Sequence, residues 1–425
     1  MTRGLVLDWK KDSSLISWAI RRPHPPSKVR IFLNPGARFC VEAGDPVRAG
    51  QKISEPRGPN SIALHASLSG IISAIGKFRH PFGEEAEAVE IQSDGKDEKM
   101  AGMGDERKKW EELGSEELKK IFRENGLVDM KDGLTPLHVK ASRGEKVKTL
   151  VLNGCESEPY VTSAHALMMS HPLEILKGAE IFRKALSAEQ IFFVTEDNKL
   201  EAAELLKSKV FFLKWKHLSS FTFPSFYPQD HETILRRQFS APDQNGGELE
   251  ILDAASAYAV WEAVARQKPL YERAVTVGGE CVIEPKNFWA RIGTDFETLF
   301  KNAKGLLRTP EKVILGGPMR GVAQKFLDVP VLSNSDALLG LPREALGAGG
   351  EEEPCIRCGR CVEVCPSEIS PVMITLAAER SLWDLARDYG AEECVECGNC
   401  SFVCPSRRPM LDLMRRAGAG LKSKL

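Results

Sequence analysis

Two stretches of the chain share one cysteine spacing: residues 355–366 read CIRCGRCVEVCP and residues 394–405 read CVECGNCSFVCP, each a C-x2-C-x2-C-x3-C-P run. Eight of the 11 cysteines lie there, and Cys40, Cys155 and Cys281 are isolated. A disulfide framework spaces its cysteines through a short secreted chain, whereas thiols packed this closely in a long chain suit metal binding in a reducing compartment. Both loops must therefore fold around whatever they bind.

Three closely spaced cysteines can wrap one face of a cubane iron–sulfur cluster, and the fourth thiolate must come from elsewhere. In two-cluster ferredoxins it is the last cysteine of the other run. That rule assigns Cys355, Cys358, Cys361 and Cys404 to one [4Fe–4S] cluster, and Cys394, Cys397, Cys400 and Cys365 to a second. Pro366 and Pro405 end the loops, while Gly359 and Gly398 let the backbone pass close to the cluster. Structural zinc is the competing reading, but a four-cysteine zinc site needs neither the third cysteine nor a repeated Cys-Pro ending. The intervening segment, ISPVMITLAAERSLWDLARDYGAEE, carries helical patterning and resembles the helical ferredoxin variant. That leaves the pairing between runs open while the ligand set stands.

A length of 425 residues predicts three or four domains. Lys plus Arg (58) nearly cancels Asp plus Glu (59), so no global field recruits nucleic acid, and a nucleic-acid partner is not expected. No stretch approaches the ~18 apolar residues that span a bilayer, and the first residues lack a secretory h-region. The expected location is the cytoplasm or the cytoplasmic face of a membrane.

Residues 1–100 read as short strands broken by turns, a small β barrel or sandwich. The charged stretch from Asp94 to Glu117 reads as a linker into a helix near Leu118–Arg123. Over 115–265, strand-like VKTLVLNG and QIFFVTED alternate with helical HPLEILKGAEIFRKAL and NKLEAAELLKSK, the order of a parallel, Rossmann-like sheet. Residues 266–345 give short strands, glycine turns and one helix. Gly347–Glu353 reads as a hinge into the cysteine region, 346–425.

Across nearly its whole length the chain resembles the RnfC family, whose members are subunits of the Rnf electron-transport complex. The resemblance is carried by His24-Pro25-Pro26 with Lys28, Gly44-Asp45, Gly50-Gln51, HASLSG (His65–Gly70), His138-Val139-Lys140 and Asn153–Tyr160. It continues through Glu196–Lys199, Tyr227-Pro228-Gln229, Thr276–Gly279 and Gly316–Met319, and ends on the doubled cysteine run. It implies a multidomain α/β fold. Its parts are an N-terminal lipoyl-like barrel-sandwich, a Rossmann-like domain similar to the flavin-bearing part of respiratory complex I, a β-grasp-like (SLBB-type) domain and a C-terminal helical two-cluster ferredoxin domain. It also implies a peripheral subunit on the cytoplasmic face of the cell membrane, relaying electrons between a soluble donor, NADH or a reduced carrier protein, and membrane subunits of an ion-translocating oxidoreductase. Its partners would be the other subunits and a ferredoxin- or flavodoxin-like carrier. The barrel has no lysine at a hairpin tip, so no lipoyl or biotinyl group is expected.

Two [4Fe–4S] clusters are the implied cofactors, with FMN and NADH at issue. By resemblance, Lys140, Asn153, Glu156 and Glu158 would line the flavin and nicotinamide pocket, and no catalytic residue is assigned. One departure bears on that pocket: where the family has a glycine-rich GLGGAGFPTHVK loop, this chain has Asp129 through Lys140 (DMKDGLTPLHVK), and an expected Asp is Ala164. A glycine-rich loop holds phosphate by bare backbone N–H groups. Asp129 and Asp132 would set carboxylates against it, at a cost of ~4 kcal/mol for like charges ~4 Å apart at an effective dielectric of ~20, with Lys131 relieving part. Two readings stay open: a flavin-binding, nicotinamide-oxidising subunit, or a relay and docking subunit whose nucleotide site has decayed. A soluble flavin-dependent NADH dehydrogenase or cobalamin-reductase-like enzyme of the same architecture is a third.

Overall fold

The computed structural model describes residues 4–10, 18–107, 109–143, 147–213, 215–239, 248–346 and 351–423, so residues 347–350 of the expected hinge lie outside the described residues. Near the N-terminus, Lys28–Phe32, Glu85–Ser93, Gly70–Arg79 and Pro46–Val47 form an antiparallel sheet in that spatial order, and Ala37–Phe39 pairs with Ser54–Pro56. Lys28–Phe32 alternates half-buried and buried residues, the period of a strand with one face on a core. Val29, Ile31, Ile72, Val89 and Ile91 fill that core with Ile53 and Leu68. This is the barrel-sandwich that the turn-punctuated strands predicted.

The charged stretch after it does not hang free. Gly104 and Arg107 donate backbone N–H groups to the carbonyls of Arg266 and Ala265 at 2.9 and 2.8 Å, which lays the segment against the end of the helix Ala254–Ala265. It then enters the helix Ser115–Glu124, whose Leu118 and Phe122 are buried.

The central sheet is parallel, in the order Glu248–Asp253, Val147–Asn153, Gln190–Glu196, Leu218–Phe223. Leu150 and Leu152 face one core, and Val151 faces another with Leu235 and Phe239 of the helix Glu232–Phe239. Apolar residues therefore cover both faces, as a doubly wound sheet requires. The helices Pro172–Leu186 and Ala254–Ala265 pack so closely that a Cβ added at Gly178 would sit 1.7 Å from the Ala257 carbonyl oxygen. Sequence order reverses between Val147–Asn153 and Glu248–Asp253, so a crevice opens past their C-terminal ends, where ligands bind in such sheets.

A mixed five-stranded sheet follows, in the order Lys286–Arg291, Glu272–Gly278, Ala337–Leu341, Lys312–Leu315, Val322–Gln324. Its helix Phe296–Asn302 begins where Asp295 Oδ1 accepts the Thr298 N–H at 2.7 Å, an N-cap. The C-terminal unit is helical: Pro371–Glu379, Trp383–Asp388 and Met410–Lys422 bury Ile374, Ala378, Ala386, Met414 and Ala417 together.

Glu272, in the five-stranded sheet, gathers cations from three segments of the chain. Its buried carboxylate meets Lys268 at 2.8 Å, Arg22 at 3.0 Å and Arg291 at 3.5 Å. Burial works to raise its pKa, but Lys268, Arg291 and Arg22 override it and hold the group at about 2. An unfolded Glu titrates near ~4.3, so this contribution to stability is present above that pH and is lost as pH falls through about 2. Glu272→Gln should destabilise the protein at neutral pH by on the order of 3 kcal/mol, and its deficit in urea unfolding should close as pH falls through that window. A deficit independent of pH would contradict the ionic role. Gly178→Ala should cost about 1–3 kcal/mol by the same measurement, because two helix backbones would have to part.

Candidate functional site

A cavity of about 500 Å³ occupies the crevice at the reversal of the parallel sheet, within the range of cofactor sites. Asn153 and Asp253, paired in register at the ends of adjacent strands, form its floor. Asp129 and Lys131 line one wall, Glu158 and Asp230 another, and the Gly316–Arg320 turn closes it from the five-stranded sheet.

The loop that would cradle a phosphate satisfies itself instead. Asp129 Oδ1 accepts the Lys131 N–H at 2.9 Å, and Asp132 Oδ1 accepts those of Leu134 and Thr135 at 2.8 and 3.0 Å. The Gly133 N–H goes to the Asp129 carbonyl at 2.8 Å, the Asp129 N–H to the Thr135 carbonyl at 2.8 Å, and the Met130 N–H to Ser256 Oγ at 2.9 Å. These are Asx turns, in which a short carboxylate caps its own backbone. The cavity wall also carries seven carboxylates, from Asp129, Asp132, Glu158, Asp230, Glu232, Asp253 and Asp336, against three cations, from Lys131, Arg236 and Arg320. Neither the committed amides nor this charge balance fits a flavin or nicotinamide phosphate.

Of the four residues that the resemblance names for a flavin and nicotinamide pocket, Asn153 and Glu158 line this cavity. Lys140 and Glu156 do not. Lys140 is buried, with Nζ 2.5 Å from Asp129, 3.5 Å from Glu250 and 3.6 Å from Glu232. Burial works to lower its pKa, but those carboxylates raise it, so it serves as their fixed counter-ion. Glu156 borders a separate small pocket and accepts the Ala164 N–H at 2.8 Å, at the start of the helix Ser163–Ser170. Lys131 pairs with Asp230 at 3.0 Å.

Sequence patterning missed the centre of the site, Arg320. Its guanidinium meets Asp230 at 2.6 Å and Glu158 at 3.0 Å, and lies 5.5 Å from the centroid of the Tyr227 ring. Burial works to raise the Asp230 pKa, but Arg320 and Lys131 hold it well below the usual carboxylate range. The Met319 and Arg320 N–H groups each donate to the Glu158 carboxylate at 3.0 Å. The Gly316–Arg320 turn therefore cradles a carboxylate of the chain itself.

The two cysteine runs fold alike. Arg357 and Glu396 both have positive φ (55° and 49°), and their N–H groups lie 3.4 Å from the sulfurs of Cys355 and Cys394. Gly359 and Gly398 (φ 78° and 79°) each open a short helix, Arg360–Glu363 or Asn399–Phe402. Cys365, Cys394, Cys397 and Cys400 line one shared pocket, a set that combines three cysteines of the second run with the fourth of the first. Burial pushes the thiol of Cys394 up to about 11 and those of Cys397 and Cys400 up to about 12, so positive charge such as a cluster's iron is what would hold them as thiolates. Among the described residues no three His, Cys, Asp or Glu side chains form a group that could hold a metal ion; the fit to a larger multi-iron unit stands on the shared pocket. Cys358 is exposed, and Ile356 of the first run and Phe402 of the second are 67% and 62% exposed. Of the isolated cysteines, Cys155 and Cys281 are buried and Cys40 is exposed.

Family models agree with this division of the chain. The RnfC barrel-sandwich hybrid domain matches residues 1–96, the Nuo51 FMN-binding domain 122–251 and the 4Fe-4S dicluster domain 349–405. Two [4Fe–4S] clusters are thus the cofactors of the C-terminal unit. The fold is similar to that of a chain of an air-oxidised NAD+-reducing [NiFe]-hydrogenase, with a TM-score of 0.50 at 11% identity over 73% of this chain and 61% of that one. The C component of the proton-translocating ferredoxin:NAD(+) oxidoreductase complex of Clostridium ljungdahlii is 35% identical over 368 residues, covering 85% of this chain and 79% of the relative. Its Na(+)-translocating counterpart from Acetobacterium woodii is 32% identical over 357 residues, 81% and 79% of the two chains. With identity of 35% over 85% of this chain, the chain belongs to the RnfC family of Rnf-complex subunits.

Proposed function

We propose that this chain is the electron-relay subunit of a membrane-associated, Rnf-type ion-translocating oxidoreductase, passing single electrons through two [4Fe–4S] clusters. The observation that carries the reading is the pair of matching cysteine loops, one seated against the domain junction and the other open to solvent. In this reading Cys394, Cys397, Cys400 and Cys365 hold the buried cluster, and Cys355, Cys358, Cys361 and Cys404 the exposed one. Each takes one electron from a reduced donor and hands it on, with no bond made or broken.

The partners are the other subunits of the complex and a ferredoxin- or flavodoxin-like carrier, which reaches the exposed cluster beside Ile356 and Phe402. Such an arrangement gives the relay one face for a soluble protein and one for the complex. The chain works at the cytoplasmic face of the membrane as a peripheral subunit; among the described residues no helix is long and apolar enough to cross a bilayer. Relatives are named as ferredoxin:NAD(+) oxidoreductase subunits, yet the self-capped Asp129–Thr135 loop gives this chain no phosphate cradle of its own. Its donor is therefore a reduced carrier protein rather than NADH. The flavin-bearing alternative is favoured by two observations, the cavity of about 500 Å³ at the sheet reversal and the match of residues 122–251 to the Nuo51 FMN-binding domain.

Chemical analysis of the anaerobically purified chain should give iron and sulfide for two clusters without stoichiometric flavin. Electron paramagnetic resonance of single variants tests the ligand sets. Cys358→Ala and Cys404→Ala should remove the same cluster signal, and Cys365→Ala should remove the other. Loss of one and the same signal in Cys358→Ala and Cys365→Ala would overturn the pairing.

A further inference from the structure

The two cysteine runs share spacing and backbone, so a difference between their clusters must come from their neighbours. Around the first run there are few: Cys358 is exposed, and a Cβ added at Gly359 would meet nothing within 4 Å. The second run is pressed against charged groups. A Cβ at Gly398 would lie 3.0 Å from the Met319 carbonyl oxygen, so the Gly316–Gly321 turn abuts the loop directly. Tyr227, fully buried, donates its hydroxyl to the Cys397 carbonyl at 2.7 Å. Behind Tyr227 stand one cation and one anion, Arg320 with its guanidinium 5.5 Å from the ring centroid and Glu158 with Oε1 3.4 Å from the hydroxyl.

Reducing a cluster adds one negative charge. A fixed cation nearby stabilises that state and a fixed anion opposes it, most strongly where water is excluded. We propose that Arg320 and Glu158 set the reduction potential of the buried cluster in opposite directions, Arg320 raising it and Glu158 lowering it, with Tyr227 as the rigid spacer that fixes their distance. Both are positioning residues. The inference depends on the assignment of Cys365, Cys394, Cys397 and Cys400 to one cluster. It has a consequence for the crevice: Asp230 competes with Glu158 for Arg320, so the charge held in the crevice governs how readily the neighbouring cluster keeps an electron.

The test is an anaerobic redox titration of the full chain carrying both clusters, followed by electron paramagnetic resonance. Arg320→Met should lower the reduced-to-oxidised ratio of one cluster about tenfold at fixed ambient potential, a shift of about 59 mV for one electron. Glu158→Gln should move the same cluster the opposite way, Arg320→Lys should stay near the parent, and the exposed cluster should not move in any of them. A merely structural role predicts shifts of one sign, or in both clusters, and either pattern overturns the proposal. If Arg320→Met does not fold, Glu158→Gln decides alone, and an unmoved potential in that variant overturns it. Failure to find two [4Fe–4S] spectra in the parent chain overturns the ligand assignment and this inference together; two spectra with unmoved potentials overturn this inference only.

Discussion

Arg320 reaches from a turn of the five-stranded sheet into the crevice of the parallel sheet, where Asp230 and Glu158 divide its guanidinium between them. Asp230 in turn holds Lys131, and Glu158 takes two backbone N–H groups of the turn that carries Arg320. Buried charges are tolerated only when paired and hydrogen-bonded, and removing one partner from such a network costs about 3–5 kcal/mol. The relative placement of two domains and of the second cysteine loop therefore depends on this clamp. Tyr227, against the same guanidinium, carries that fixed geometry to Cys397.

The crevice lies where doubly wound sheets bind nucleotides, and its loop amides bond to the chain's own groups. A glycine-rich loop binds phosphate because its amides are unspent and no side chain intervenes. Here Asp129 and Asp132 spend those amides on their own turn, and Lys140, in the short helix Leu137–Ala141 that follows, is the counter-ion to Asp129. Such a loop is well satisfied as it stands. An incoming phosphate would have to break its hydrogen bonds and sit among excess carboxylates.

Much of this was legible in the sequence. The cysteine spacing states its chemistry locally, and apolar runs such as VKTLVLN and QIFFVTE identify strands buried on both faces of a parallel sheet. Leu218–Phe223 escaped notice because, as an edge strand alternating half-buried and exposed residues, it has no apolar run. The charged stretch read as a linker is docked through backbone hydrogen bonds, which composition does not encode. A lysine beside an expected nucleotide loop reads as a ligand in sequence, and only the folded loop brings Asp129 and Glu250 to Lys140. The clamp joins Glu158, Asp230 and Arg320 from three separate parts of the chain, and a pairing between such distant residues leaves no periodicity to find.

The central claim is that electrons enter this chain from a protein carrier and not from a nucleotide bound in its crevice. Anaerobic mixing of the two-cluster chain with NADH alone, and separately with a reduced ferredoxin-type carrier, tests it through bleaching of the visible iron–sulfur absorbance. The account predicts that the carrier bleaches the clusters and that NADH leaves them oxidised. Bleaching by NADH alone, accompanied by stoichiometric flavin in the purified chain, would contradict it.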